Sequence, residues 1–427
     1  MEKKLINFRL HPTILNQEIR EIYTRDQFRI PDGCIYLDGN SLGPRTVEGN
    51  KCLQRVNDEW GDLLIGGWMN GKIPWFYYPE TLAGMLAPLL GAEPNEVSIQ
   101  NATTINLHLL LASFYKPKKG KKRNVIVIEE GAFPSDEYAV EGFIRLKNLN
   151  PKECLRTIKR DGNFLLPEDA IVEAMQDDVA IILLSSVLYQ SGQLLNMSYL
   201  TEKAREKGIL IGFDCSHSAG IVDHNFSEIG LDFAIFPTYK WLNGGPGSVA
   251  GLYVNKRHEN KKPGLPGWFG SNKQVQFDMS STFTPAQGAG KFQVSTSHLL
   301  SMAPLEGSLR MYENIGISAI RNASLGLTEY MIYLLDRQCP ELEIVTPRNP
   351  DCRGGAISFS HVNAAGINMA LQARGIIGDY RRPNIVRLAP NPLYVDFVDV
   401  YETVKVLEEI MTSAEYLNYS NERQLVA

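Results

Sequence analysis

The stretch ILIGFDCSHSAG, Ile209–Gly220, decides the fold. It opens on an apolar run, Ile209–Phe213, with no polar alternation. The run ends in an acid, Asp214, and His217 follows three residues later. A strand that is apolar on both faces belongs in a sheet covered on both sides, as parallel sheets are. Similar runs stand around it at Val125–Ile128, Ala180–Leu184 and Phe233–Phe236. Polar–apolar segments with helical spacing, such as Pro167–Gln176 and Met197–Lys207, lie between them. Short buried strands alternating with helices predict an α/β fold with a mostly parallel central sheet and three layers. Sites in such sheets lie beyond the carboxyl ends of the strands. The polar residues of interest stand where the apolar runs end.

After about Ser297 the texture changes. A long helical pattern covers Leu299–Leu335, with a break near Gly316. Then come a strand at Ala356–Ser360, a helix at Ala364–Arg374, a strand at Ile385–Leu388 and a helix at Phe397–Met411. That order predicts a smaller α+β C-terminal domain. Near the start, Ile14–Tyr23 is a helix candidate, followed by YLDGNSLG at Tyr36–Gly43. The expected division is an N-terminal arm over residues 1–45 packing on the small domain, a large domain over 46–300 and a small domain over 301–427.

The chain has 427 residues, 44% hydrophobic and 21% charged, which suits a two-domain enzyme with a large core. Its formal charge of −5 argues against a nucleic-acid partner. Six cysteines, Cys34, Cys52, Cys154, Cys215, Cys339 and Cys352, form no CxxC pair and no metal-ligand spacing. They read as reduced thiols of a cytoplasmic protein. The N-terminus has no apolar run of signal-peptide length, and no stretch reaches a membrane span of roughly 20 apolar residues. The expectation is a soluble cytoplasmic protein without a metal.

Five constellations carry chemistry. Asp214, at a strand end, reads as a helix cap, a base or a cofactor partner; metal binding would need ligands that no nearby cluster supplies. TYKWLNGGPG, Thr238–Gly247, follows the Phe233–Phe236 strand and sets Lys240 between two aromatic residues. Burial there would lower the lysine's pKa and free its amine as a nucleophile. An acid and a lysine on neighbouring strand ends meet the needs of pyridoxal phosphate, which takes a covalent lysine and an acid against its ring nitrogen. NATTIN, Asn101–Asn106, opens an apolar helix and reads as a helix cap or an anion site for a phosphate. FPSD, Phe133–Asp136, offers a ring to stack and an acid, or a plain turn. Arg387 interrupts an apolar strand and needs an anionic partner: an internal carboxylate, or the carboxylate of a substrate.

With these motifs in view, the chain resembles the kynureninases, pyridoxal-phosphate enzymes of the aspartate-aminotransferase fold (fold type I). NATTINLHLL, FPSD, FDCSHSAG, TYKWLNGGPG, PGWFG and VRLAPNPLY occur in that order, and the likeness runs from Tyr36 to Tyr394. The resemblance implies that Lys240 is the Schiff-base lysine and the base that takes the α-proton. It implies Asp214 as the partner of the ring nitrogen with His217 beside it, Phe133 as the stacking residue and Asp136 as the nearby acid. Thr103, Thr104, Ser185 and Tyr239 are implied as phosphate or cofactor contacts, with Tyr239 also an acid/base group. Trp268 and Thr296 match positions that reach a neighbouring subunit's site, so a homodimer with shared active sites is expected. Arg387 matches the substrate carboxylate fork, and Asn40 and Trp68 match substrate-side positions.

The implied reaction is hydrolytic Cβ–Cγ cleavage of L-kynurenine to anthranilate and L-alanine, a step of tryptophan catabolism connected to NAD biosynthesis. Trp68 and Thr296 match bacterial members and favour kynurenine over 3-hydroxykynurenine. Ser271 departs from the family's usual histidine after PGWFG, which leaves a ring-substituted kynurenine of secondary metabolism as an alternative. Two further alternatives are a cysteine desulfurase or selenocysteine lyase and a non-catalytic cofactor-binding protein. The first needs a loop cysteine, and GDYRRPNIVRLAP has none. The second needs a decayed site, whereas Lys240 and Asp214 are both present.

Overall fold

The computed structural model describes residues 7–117, 123–162 and 164–422. The first six residues of the expected arm thus lie outside the described residues. Seven strands build the main sheet: β1 (Val97–Gln100), β2 (Val125–Glu129), β3 (Leu155–Ile158), β4 (Val179–Ser185), β5 (Leu210–Asp214), β6 (Phe233–Pro237) and β7 (Ala250–Val254). Their order is β1-β7-β6-β5-β4-β2-β3. Only β7 runs antiparallel to its neighbours; the other pairings are parallel.

The central strands send alternate side chains into two separate cores. Ile126, Ile128, Ile181, Leu183, Phe233, Ile235 and Leu252 join the core under helices Thr103–Phe114 and Pro134–Leu146. Val127, Ile182, Leu184, Ile211, Phe213 and Phe236 join the other, which continues into helices Met197–Glu206 and Leu299–Ile315. Phe213 and Leu184 are essentially fully buried, and burial of such a side chain contributes about 2 kcal/mol. Covering both faces is what makes the strand sequences continuously apolar.

A second sheet of four antiparallel strands contains β8 (Glu343–Ile344), β9 (Ile357–Ser360), β10 (Asp379–Arg381) and β11 (Ile385–Leu388), ordered β8-β9-β11-β10. The long helical pattern is two helices, Leu299–Ile315 and Ile317–Gln338, parted at Gly316 with φ +84°. On the buried face of the first, Glu306 accepts from Arg55 Nη2 (2.5 Å), Tyr78 Oη (2.5 Å) and Arg310 Nη2 (2.6 Å). That carboxylate ties helices Val47–Leu63 and Tyr78–Leu86 to it.

The N-terminal segment lies against the last third of the chain. Ile35–Tyr36 pairs in parallel with Ile376–Ile377, and Thr24 N donates to Leu393 O at 2.8 Å. The helix expected over Ile14–Tyr23 is a correction: a helix covers only Pro12–Leu15, followed by a 3-10 turn over Asn16–Glu18. The apolar spacing is real, since Leu15, Ile19 and Ile22 are buried. Asn16, however, turns its amide to Asp396 Oδ2 (2.7 Å) and to Phe397 N (2.9 Å), at the start of helix Phe397–Thr412. Among the described residues no helix is long and apolar enough to cross a membrane.

Candidate active site

The parallel strands deliver their last residues to one end of the sheet. β4 and β5 end in register, with Ser185 paired to Asp214. β6 ends at Pro237, three residues before Lys240. Helix Thr103–Phe114 starts at the same end, just after β1, and the turn Phe133–Asp136 follows β2. One cleft is therefore lined by Thr103, Thr104, Phe133, Asp136, Ser185, Asp214, His217, Tyr239 and Lys240. Ser135, Val187, Tyr189 and Ser216 complete it; Ser135 and Ser216 lie inside the FPSD and FDCSHSAG motifs but had no role assigned from sequence, and Val187 and Tyr189 carried no signal.

The lysine segment is pinned from two sides. Gly43 N donates to Tyr239 O at 2.8 Å. Tyr312 Oη donates to Trp241 O at 2.6 Å and Gly220 O at 3.1 Å. A Cβ at Gly43 would collide with the Lys240 carbonyl and Asn243, and one at Gly39 with the Tyr394 hydroxyl. The GNSLG loop can approach this closely only because those two positions lack side chains.

Lys240 Nζ lies 3.0 Å from His217 Nε2. Burial depresses the lysine to about 8, with Arg387 and Arg381 adding to the effect and Asp214 opposing it. Burial, then Lys240, holds His217 well below the usual imidazole range. A neutral imidazole accepts at Nε2 from the ammonium, which assigns its proton to Nδ1. Asp214 Oδ1 accepts from Ser216 N at 2.8 Å and from the Ser216 hydroxyl. Asp136 is pushed well above the carboxylate range, first by burial and then by the charge of Asp214, to which it is hydrogen-bonded. Both effects favour the protonated form of Asp136, the form that can share a proton with Asp214. Glu129 is also raised by burial and accepts from Ser185 N at 3.2 Å.

At the opposite wall, Thr104 Oγ1 and Ser135 Oγ stand 2.6 Å apart. They join the first turn of helix Thr103–Phe114 to the FPSD turn. The amides of a helix's first turn have no partner within the helix, so hydroxyls and N–H groups converge there on an anion-binding position. Phe133 is half exposed, at 48%, and packs edge-on against Tyr189 (5.9 Å, 88°). An amine, a carboxylate, an anion pocket and an exposed ring around one cleft form the donor set that pyridoxal phosphate requires.

Arg387 reaches the rim, where its Nη1 donates to Tyr189 O at 2.7 Å, but its guanidinium is already paired with Asp379. Asn40, next to Ser41 in the chain, is buried with both side-chain amide atoms unpartnered. The remaining sequence candidates do not line the Lys240 cleft. Trp68 packs against Trp75 (5.9 Å) and Phe269 (6.2 Å). Trp268 is 41% exposed beside Phe277, and Thr296 is exposed.

Comparison with known proteins follows the same lines. A family model described as the kynureninase C-terminal domain matches residues 320–407. A kynureninase of Geobacillus thermodenitrificans is 46% identical over 426 residues, covering 98% of this chain and 99% of that protein. One of Bacillus anthracis is 47% identical over 415 residues, covering 96% of each. Among solved structures, the apo cysteine desulfurase of Thermococcus onnurineus has a TM-score of 0.76 at 18% identity, covering 92% of this chain and 98% of that one. The cystine C–S lyase C-DES with cysteine persulfide has a TM-score of 0.75 at 16% identity, covering 88% and 98%. Likeness at that identity concerns the fold alone: a fold-type I large sheet with a smaller second one.

Proposed function

The chain belongs to the kynureninase family and carries out pyridoxal-phosphate-dependent hydrolysis of L-kynurenine to anthranilate and L-alanine, and from that premise we propose how its own residues divide the work. Lys240 holds the cofactor and takes the α-proton of the substrate. The observation that carries this is the Lys240–His217–Asp214 cleft, in which the amine is depressed to about 8 and faces a neutral imidazole. The cofactor, when bound, supplies an electron sink for charge formed at the substrate's Cα. Asp214 faces the ring nitrogen, and Asp136, by keeping its proton, leaves a single full negative charge there. Thr103, Thr104 and Tyr239 hold the phosphate, with Ser185 closing the cleft floor and Phe133 stacking on the ring. Tyr239 also passes a proton at short range to the substrate carbon, Cβ, from which the acyl group leaves.

Arg387 binds the α-carboxylate, and Asn40, buried and unpartnered, adds a polar contact on the substrate side. Fixing the carboxylate orients the Cα–H bond for proton removal. Residues 46–300 thus supply the cofactor side, and residues 1–45 together with 301–427 the carboxylate side.

We further propose a homodimer in which Trp268 and Thr296 act in the partner's site and Trp68 borders the substrate ring. The exposure of Trp60 (59%) and Ile65 (80%) near Trp68 supports a covered apolar face. An indole at position 68 favours kynurenine over 3-hydroxykynurenine. The scattered free cysteines suit a cytoplasmic setting. Anthranilate fluorescence on adding L-kynurenine to the cofactor-loaded protein tests the site assignment. Wild-type release that disappears in Arg387→Ala at low substrate and returns at high substrate supports the fork; unchanged kinetics reject it.

A further inference from the structure

Arg387 does not stand free to bind a substrate. On adjacent antiparallel strands it lies directly opposite Asp379. Both side chains are buried, at 2% and 0% exposure. Nε of Arg387 donates to Asp379 Oδ1 at 2.7 Å, and Nη2 donates to Oδ2. The second Nη2 hydrogen goes to Ser41 Oγ at 3.1 Å, and one Nη1 hydrogen to Tyr189 O at 2.7 Å. Asp379 therefore grips the side edge of the guanidinium, Nε and Nη2. It leaves the Nη1–Nη2 end edge pointing to groups that a ligand can replace: a hydroxyl and a cleft-lining carbonyl.

A second arginine shares the same carboxylate. Arg381 Nη2 donates to Asp379 Oδ2 at 2.7 Å and to Ser41 Oγ at 3.2 Å. Burial works against the charge on Asp379, but Arg387 and Arg381 prevail and hold it down to about 2. The second acid, Asp38, is raised to about 7 by burial and by Asp379. Two guanidiniums thus face one firmly ionised carboxylate. With Asp38 about half ionised near pH 7, the recess keeps part of one positive charge, which a single carboxylate complements.

We propose that Asp379 and Arg381 are positioning and specificity residues for the substrate's α-carboxylate: Asp379 fixes the guanidinium of Arg387, and Arg381 supplies the charge that makes the recess select a monocarboxylate. A freely rotating Arg387 would have to be ordered by each substrate at an entropic cost. Without Arg381 no net positive charge would remain in the recess to attract an anion. This inference rests on the reading of Arg387 as the carboxylate fork.

The test uses holoenzyme variants Asp379→Asn, Arg381→Gln and Arg387→Lys. Steady-state kinetics on L-kynurenine are set beside competitive inhibition by its descarboxy amine, which has no α-carboxylate. Asp379→Asn and Arg381→Gln are each expected to raise KM for kynurenine by about tenfold or more, with kcat changed less and the amine's Ki unmoved. A KM within about twofold of wild type for both variants overturns the proposal, as does equal weakening of kynurenine and the amine. If Asp379→Asn does not fold, Arg381→Gln, altered at a side chain that is 32% exposed, decides alone. Should Arg387→Lys leave KM unchanged, the fork itself is misassigned; if it raises KM while the other two variants do not, only this inference falls.

Discussion

The amine of Lys240 stands 3.0 Å from Nε2 of His217, so the nucleophile of the cleft has a neutral neighbour that can take its hydrogen bond without adding charge. A lysine depressed to about 8 is mostly ammonium at pH 7 and mostly free amine at pH 9. Capture of free pyridoxal phosphate by the apoprotein, followed by absorbance, should therefore quicken about tenfold between those pH values and then level off. A rate still climbing in proportion to hydroxide at pH 10 would mean that the lysine keeps its ordinary pKa.

Asp214 should matter for chemistry more than for shape. At about 3 Å and an effective dielectric of about 20, its pairing with a ring nitrogen has a Coulomb term of about 5 kcal/mol before desolvation. Asp214→Ala is expected to lower kcat by on the order of 10³-fold. Near-normal turnover would remove the acid from the electron-sink role.

How much of this was readable in the residues depends on burial. Asp214 and Lys240 were legible because the parallel strands before them are apolar on both faces, so a charge at the strand end stands out. β1, β3 and β7 were missed; β3, at the sheet edge, carries Arg156 and Thr157 and buries only Ile158. β1 mixes Ser98 and Gln100 into its four residues, and β7 includes Gly251; all are nonetheless buried. Asp379 was invisible for the opposite reason. GDYRRPN looks like a charged surface turn, and only the pairing of β10 with β11 brings its carboxylate under Arg387. Ser216 and Tyr189 join the cleft through turn geometry that no spacing rule announces.

The proposed homodimer with shared sites makes a complementation prediction. Lys240→Ala removes the amine from its own cleft, and Trp268→Ala removes an exposed indole assigned to the partner's. Each homodimer should be nearly inactive. Mixing the two after partial denaturation should restore activity, because some hybrid dimers then contain one intact site. Mixtures no more active than the separate variants would place Trp268 in its own subunit's site or outside any site.

Ring preference should follow position 68. Trp68→His replaces a bulky apolar ring with a smaller, polar one. The ratio of kcat/KM for 3-hydroxykynurenine to that for kynurenine is expected to rise about tenfold, the scale of one added hydrogen bond in a pocket. An unchanged ratio would show that the indole does not border the substrate ring.

The Glu306 cluster makes a stability prediction. Its carboxylate is fully buried and joins Arg55, Arg310 and Tyr78 from three helices. Glu306→Ala leaves Arg55, only 20% exposed, with Glu59 at 2.9 Å as its remaining counter-ion and takes an acceptor from the buried Tyr78 hydroxyl. A loss of about 3 kcal/mol is expected, read as a lower urea midpoint of the holoprotein. A midpoint unchanged within error would show that water compensates the arginines.

The loop at Asp38–Gly43 touches both the Lys240 segment and β11: Gly43 bonds to Tyr239, and Asp38 bridges to Ala389. Asn16 reaches Asp396 across 380 positions of sequence. A ribosome making this protein releases the head of the chain long before its docking surface exists. The nascent segment must wait until almost the whole polypeptide has emerged, so the carboxylate recess is the last part of the enzyme to be born.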